Sequence, residues 1–289
     1  MIVAIIVTYN IDRKIIEVFE AIRKQVDKII IVDNNSNDNT LKLLKKLVEE
    51  NINVELIEND KNYGIAKALN IGIEVSRKFN PKFLITLDHD SILQHNAIEK
   101  MTLLYKKLTN DIDKIGAITP MVYDINKNGY LTKCSEKYEY QYISETIQSG
   151  TLINFEVFRE INGFNESLKT YYVDTDFFYK LIKARYTIVQ CNNAILYHEE
   201  GKKSMHKIGT KIFYYPNYSN YALYYRARNY VYMFKNHKQI FSSKDRFLKD
   251  TIRIILFDKN KKKSLKYHFK GLKDGIFKFI LKSNKIREY

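Results

Sequence analysis

The sequence predicts an α/β chain built on a mainly parallel sheet and closed by a basic helical C-terminal tail. Three observations carry this reading. Short β-branched runs alternate with stretches of helical periodicity, the runs end in polar clusters, and basic charge concentrates after residue 235. Alternation at this pace places strands side by side with helices on both faces. Polar clusters directly after strands belong at their carboxyl ends, where open α/β sheets bind ligands.

Residues 2–8 read as a buried strand ending in Thr8-Tyr9-Asn10; the opening run lacks a basic start and does not resemble a signal peptide. Ile15, Ile16, Phe19 and Ile22 then space as a helix face, and 28–32 form a second strand that ends at Asp33-Asn34-Asn35-Ser36. Leu41, Leu44, Leu47 and Val48 mark a second helix, and 54–57 a third strand. Asn62-Tyr63-Gly64 starts as a turn and leads into a helix through Ile71 and Val75. A fourth strand, 83–87, delivers Asp88-His89-Asp90-Ser91. Further on, 115–118 reads as a strand, 132–142 as a polar mobile segment, and 155–160 as a helix preceded by Gln148-Ser149-Gly150.

With 289 residues, the chain is long enough for one large α/β domain and an appendage. Its 45% hydrophobic and 28% charged content, with only 10 Gly and 3 Pro, excludes collagen-like, mucin-like and disordered classes. Two cysteines, Cys134 and Cys191, make no disulfide scaffold and lack metal-ligand spacing, which suits a reducing compartment. No apolar run approaches the ~18 residues of a membrane span. The expected division is 1–234 (about 1–95 for one half, 96–234 for the other) and a tail at 235–289.

The net charge of +15 is uneven: residues 235–289 hold 17 Lys/Arg against 5 Asp/Glu, leaving the body nearly neutral. Leu265, Phe269, Leu272, Ile276 and Phe279 or Ile280 recur at helical steps, with Lys266, Lys270 and Lys273 beside them. Such a helix either lies on an anionic membrane surface, lysine stems snorkelling beside apolar side chains, or packs its stripe on the main domain. Phe247, Leu248, Ile252 and Ile255 suggest another amphipathic helix before it.

Asp88 and Asp90 stand two apart at a strand end, and on extended backbone both carboxylates face one side. Paired carboxylates suit Mg²⁺ or Mn²⁺, whose remaining positions go to water and phosphate oxygens; a polar turn is the plainer alternative. Asn62-Tyr63-Gly64 offers a glycine turn and a helix N-terminus suited to phosphate. Asp174-Thr175-Asp176 sits in an aromatic stretch, where Asp174 or Thr175 also suits a helix cap.

In order along the chain, Val7-Thr8-Tyr9-Asn10, Val32-Asp33-Asn34-Asn35-Ser36, Asn62-Tyr63-Gly64-Ile65-Ala66-Lys67, Leu87-Asp88-His89-Asp90-Ser91, Ser149-Gly150, Asp174-Thr175-Asp176, Leu196-Tyr197-His198-Glu199-Glu200-Gly201 and Tyr224-Tyr225-Arg226-Ala227-Arg228-Asn229 resemble the inverting family 2 glycosyltransferases, in their bacterial rhamnosyltransferase-like branch. The resemblance covers roughly residues 2–230. It implies a GT-A fold and a metal-dependent inverting transfer of sugar from a nucleotide-sugar to a hydroxyl. Thr8, Asn10 and Asp33 would then hold the nucleoside, and Asn62, Gly64 and Lys67 would join the nucleotide-sugar site. Asp88 would contact ribose or metal, Asp90 and His198 would ligate Mn²⁺ or Mg²⁺, and Asp174 would be the general base with Asp176 in support. Arg226 and Arg228 either clamp the diphosphate, since guanidinium matches phosphate geometry, or are surface residues of a Tyr-rich helix.

Two departures bear on the donor. His89 stands where that branch usually has Gln, and Tyr172-Val173-Asp174 where it usually has Phe-Ile-Asp. The expected donor is dTDP-rhamnose, with a UDP-linked hexose, N-acetylhexosamine or galactofuranose as alternatives. The expected acceptor is a glycan, lipid-linked, at the inner face of the cell membrane, with the tail on anionic lipid and no nucleic-acid partner. Outside this class, the basic tail is also compatible with nucleic-acid binding, and the 23 Tyr and 16 Phe with a non-catalytic glycan binder.

Overall fold

The computed structural model describes residues 1–11, 13–110, 112, 114–131, 138–199, 201, 203–238, 240–241 and 246–281. Cys134, Glu200 and most of the polar segment expected at 132–142 lie outside them; Cys191 is buried. Two compact units result. One comprises Met1–Lys169 and Val173–Glu200, the other Thr170–Tyr172 and Gly201–Tyr289.

The first unit follows the expected alternation: β1 (Ile2–Thr8), α1 (Lys14–Ile22), β2 (Lys28–Asp33), α2 (Asp38–Glu49), β3 (Val54–Glu58), α3 (Ile65–Ser76) and β4 (Phe83–Asp88). After these come β5 (Ser91–Leu93), α4 (Ala97–Leu108), β6 (Ile115–Asp124), β7 (Gly129–Tyr130), β8 (Tyr140–Tyr142), β9 (Leu152–Asn154), α5 (Phe155–Glu160), α6 (Val173–Lys183) and β10 (Thr187–His198). One sheet runs in the order β3-β2-β1-β4-β9-β6-β10-β5, with β7 beside β6 and β8 beside β10. The pairs β3-β2, β2-β1, β1-β4 and β6-β10 are parallel.

Because β1, β2 and β4 are near-continuous Ile, Val and Leu, they are buried on both faces. Ile15, Val18, Phe19 and Ile22 of α1 and Leu44 and Leu47 of α2 join that core. Helix α3 presses unusually close to the sheet, since a Cβ at Gly72 would fall 2.5 Å from Ile5 Cγ2. Register sets Thr8 beside Asp33 and Val7 beside Asp88, so the polar ends of three strands share one edge.

Three expectations need correction. The strand at 115–118 extends to Asp124, and the twelve-residue β10 carries no clear apolar pattern in the sequence. Gln190, Cys191, Asn192 and Asn193 interrupt the pattern there. A bulge between Cys191 and Ile195 absorbs the interruption, and Gln190 Nε2 donates to Asn192 Oδ1 at 2.9 Å in the interior. Helix α6 begins at Val173, so Asp174 and Thr175 lie inside its first turn and do not cap it.

The second unit contains the hairpin β11 (Ser204–Ile208) and β12 (Lys211–Tyr215), then α7 (Asn220–Asn236), α8 (Arg246–Phe257) and α9 (Lys261–Gly275), with a π-helical continuation at Ile276–Leu281. Ser219 caps α7, its hydroxyl accepting from Ala222 N at 3.1 Å. The compact division falls at 200/201, not near 235, because α7 and α9 pack as one body. Ser264, His268, Gly271 and Gly275 form the buried face of α9. A Cβ at Gly271 would fall 2.1 Å from the Tyr224 carbonyl oxygen, and one at Gly275 2.6 Å from that of Arg228. The face that packs is therefore the small-residue one and not the apolar stripe that periodicity picks out. Among the described residues no helix is long and apolar enough to cross a membrane.

Replacing Gly271 with Ala should lower stability by about 1–3 kcal/mol, because the methyl meets main chain that cannot yield. Thermal unfolding followed by calorimetry checks this, and an unchanged melting profile would refute the close approach.

Candidate active site

At the shared strand edge, the polar clusters fold on one another. Thr8 Oγ1 donates to Asp33 Oδ1 at 2.9 Å; Ser36 donates to the same carboxylate through its N–H (2.7 Å) and hydroxyl (2.5 Å). Asn10, at φ +49°, donates its N–H to Ser36 Oγ at 2.8 Å and accepts from Asn37 N through its side chain. Asp33 is fully buried, and three of the roughly four hydrogen bonds a carboxylate accepts are already made inside the turn. Asn34, which no spacing argument singles out, ties this turn to the next one. Its Nδ2 donates to the Gly64 carbonyl at 3.3 Å, and its Oδ1 accepts from Asn59 Nδ2 and Tyr63 N.

Gly64 takes φ +87° just before α3, and Asn62 Oδ1 accepts its N–H at 2.9 Å. A Cβ there would lie 2.4 Å from the Lys169 carbonyl oxygen, so both conformation and space require glycine. The Lys67 ammonium stands 4.5 Å from the Tyr63 ring centroid.

Beyond Asp88 the chain turns at His89 and Asp90 before β5, so the extended geometry expected of the pair is not kept. The carboxylates are nonetheless close enough to act on one another. Asp90 also meets His198, whose Nδ1 is 3.5 Å from Asp90 Oδ1 and 3.0 Å from Ser91 Oγ. Antiparallel pairing of β5 with β10 sets His198 opposite Ser91 and makes this meeting of residues 108 positions apart. His89 hydrogen-bonds the Val7 backbone, and burial lowers its pKa.

Gln148 joins two of the aspartates. Its side-chain amide donates to Asp88 Oδ1 at 2.7 Å, and its main-chain N–H donates to the Asp174 carboxylate. Burial, then the charges of Asp90 and Asp174, push Asp88 well above the usual carboxylate range, with Gln148 opposing. Burial raises Asp174 to about 7, and the Gln148 N–H opposes that shift. Gln148 is buried, and its Oε1 has no hydrogen-bond partner among the described residues. Only its place before Ser149-Gly150 could have flagged it in the sequence. Asp176 is also fully buried; its charge acts on Lys180, whose ammonium donates to the Asn162 and Gly163 carbonyls.

The described residues contain no group of three or more His, Cys, Asp or Glu side chains arranged as a complete metal site. Asp90 and His198 nevertheless meet at 3.5 Å and offer a hard oxygen and an imidazole. Burial, then the charge of Asp90, makes Asp88 costly to ionise, a deficit of the kind that a divalent cation relieves. The described residues thus bring two candidate ligands together and not a third.

Arg226 and Arg228 belong to the helical unit and have partners there. Arg226 donates to Asp250 Oδ2 through Nη2 (2.7 Å) and Nε (3.2 Å), with its guanidinium 4.3 Å from the Tyr218 ring centroid. Burial works against its charge, yet Asp250 holds its pKa above the ordinary value. Arg228 is buried beside the Tyr225 and Phe279 rings, where burial lowers its pKa. These surroundings make both of them packed cations, which corrects the expectation that they are surface residues of the helix.

Residues 3–162 match the sequence pattern described as Glycosyl transferase family 2. A protein of Shigella flexneri named dTDP-rhamnosyl transferase RfbF is 30% identical across 94% of each chain. Among solved structures, a mannosyltransferase from Pyrobaculum calidifontis in complex with GDP-Man and Mn²⁺ superposes with a TM-score of 0.55. It is 16% identical over 82% of this chain and 64% of that one. GalNAc-T7 with UDP, GalNAc and Mn²⁺ gives 0.57 at 16% identity, over 73% of this chain and 44% of that one.

A carboxyl whose folded pKa is near 7, against 3.8 when exposed, withdraws stability as pH rises between those values. Without divalent ions, Asp174→Asn should therefore melt progressively higher than the parent from pH about 4 to about 8, by on the order of 2–4 kcal/mol at the upper end. A gap that stays flat with pH would show that Asp174 is not held protonated by burial.

Proposed function

The chain belongs to glycosyl transferase family 2 and has its GT-A fold, and from that premise we propose that it transfers rhamnose from dTDP-rhamnose, with inversion, to a hydroxyl of a growing lipid-linked surface glycan. The identity to the Shigella flexneri protein across nearly the whole chain supports that donor over a UDP-linked sugar. The observation that carries the mechanism is the convergence of Asp88, Asp90 and Asp174 from two distant segments, with Asp174 near 7.

Inversion is a single displacement. The acceptor oxygen attacks the anomeric carbon, the carbon–oxygen bond to the diphosphate breaks, and a base takes the acceptor's proton. Asp174 is that base: a carboxylate with a pKa near the working pH is ionised often enough and basic enough to accept a proton. Asp176, buried on the same first turn, supports it from within the helix. The turn of Thr8, Asn10 and Asp33 faces the nucleoside, with one acceptor direction of Asp33 left for it. Asn62 and Gly64 bring the start of α3, and Lys67 with it, to the diphosphate. Asp90 and His198, with Asp88, would hold Mn²⁺ or Mg²⁺, which would supply positive charge against the departing diphosphate. The polypeptide works at the inner face of the membrane, reached through the C-terminal helices.

Asp174→Asn should lower the transfer rate by about 10²–10⁴-fold while keeping nucleotide affinity, and the parent's kcat/KM should rise with pH through about 7 as the base ionises. Near-normal turnover in that variant removes Asp174 from the role. Calorimetry with dTDP, UDP, GDP and CDP, each with and without Mn²⁺, tests the donor. dTDP should bind best with metal, and Asp90→Asn should abolish the metal's contribution. Binding of UDP in preference to dTDP would overturn the rhamnose assignment.

A further inference from the structure

The helical unit carries an arrangement that only the folded chain reveals. Between residues 246 and 281 there are eleven Lys/Arg and three Asp. All three aspartates turn inward. Asp250 accepts from Arg226, Asp258 accepts from the Tyr215 hydroxyl at 2.6 Å, and Asp274 accepts from the Tyr224 hydroxyl at 2.9 Å. The outer surface of α8 and α9 is thereby stripped of negative charge.

On α8, Asp250 and Ile254 are buried, while Leu248, Ile252, Ile255 and Leu256 are exposed. At 3.6 residues per turn these four span about 100° of arc, and the exposed Lys249 and Arg253 occupy the sector beside it. Helix α9 repeats the plan. Ser264, His268, Gly271 and Gly275 are buried, Leu265, Phe269, Leu272 and Ile276 fill the neighbouring arc, and Lys266, Lys270 and Lys273 are exposed next to it. Phe269 of the second arc packs on Phe247, on the Ile254 side of α8, with ring centroids 6.0 Å apart, which ties the two helices together. Phe277, 63% exposed, extends the surface into the π-helical turn.

We infer that this two-helix face is the membrane-docking surface of the protein, lying in the plane of an anionic lipid leaflet. Apolar arcs enter the headgroup boundary and the lysine sectors meet lipid phosphates, which is the chemistry of an interfacial helix. Charge complementarity selects lipid over a second copy, since two such basic faces repel. The inference rests on the membrane-side acceptor proposed above.

Deleting the tail would strip α7 of its partner, so the test uses solvent-facing changes in the full chain. One variant combines Leu248→Ser, Ile252→Ser and Leu256→Ser; another combines Lys266→Gln, Lys270→Gln and Lys273→Gln. Co-sedimentation uses vesicles of phosphatidylcholine alone and of phosphatidylcholine with an equal part of phosphatidylglycerol. The parent should bind the anionic vesicles at least about tenfold better than the neutral ones, and each variant should lose about tenfold or more of that binding. Melting temperature and nucleotide affinity should be unchanged. Parent protein that ignores anionic vesicles, or variants that bind them like the parent, would overturn the inference. So would a parent dimer that the serine variant converts to monomer, since a second copy would then cover the face. Loss of nucleotide binding with intact vesicle binding would instead sink the transferase reading and leave the docking face standing.

Discussion

A short elbow at Gln148-Ser149-Gly150 is the constraint on which the site depends. The Gly150 N–H donates to the Thr86 carbonyl at 2.7 Å, and Thr86 Oγ1 donates to the Gln148 carbonyl at 2.8 Å. Asp88 donates its N–H to Ser149 Oγ at 3.0 Å and accepts from the Gln148 side chain. Gly150 takes φ +76° where a Cβ would lie 3.0 Å from Leu196, Leu93 and Pro120, so the elbow has little freedom to move. Through it the end of β4 and the first turn of α6 are held by one residue.

That fastening keeps like charges together. Burial, then the charges of Asp90 and Asp174, raises the cost of ionising Asp88, and burial alone does the same to Asp174. A fold assembled for stability alone would separate them or pair them with cations. Here, among the described residues, the donors to the Asp88 and Asp174 carboxylates are the neutral side-chain and main-chain amides of Gln148.

The segment just before Asp174 shows a second form of stored cost. Tyr171 and Tyr172 adopt φ +56° and +62°, a region unfavourable to side chains with a Cβ. Asn229 Nδ2 offsets this by donating to the Thr170 and Tyr171 carbonyls, and Phe241 packs on Tyr172. These three residues therefore belong to the helical unit, while Val173 and Asp174 belong to the sheet unit. The chain thus passes directly from a strained, well-braced turn of one unit into the carboxylate of the other.

Much of the fold was legible because it is written in local periodicity. Strands β1 to β4 and the helices between them have uninterrupted β-branched or amphipathic patterns, and ordered motifs marked Asp88, Asp90, Asp174 and His198. Strand β10 was hidden by polar residues that a bulge absorbs, and α9 was read by its apolar stripe although it packs through glycine. Composition and spacing determined the class of the sheet, the polar strand ends and the basic tail. Only the tertiary structure decided which distant groups meet: His198 with Asp90 through an antiparallel pairing, Gln148 with both Asp88 and Asp174, and the tail aspartates with α7 and β12. The physical reason is that hydrophobic periodicity is local, whereas hydrogen bonds and charge interactions depend on distances that only chain packing creates.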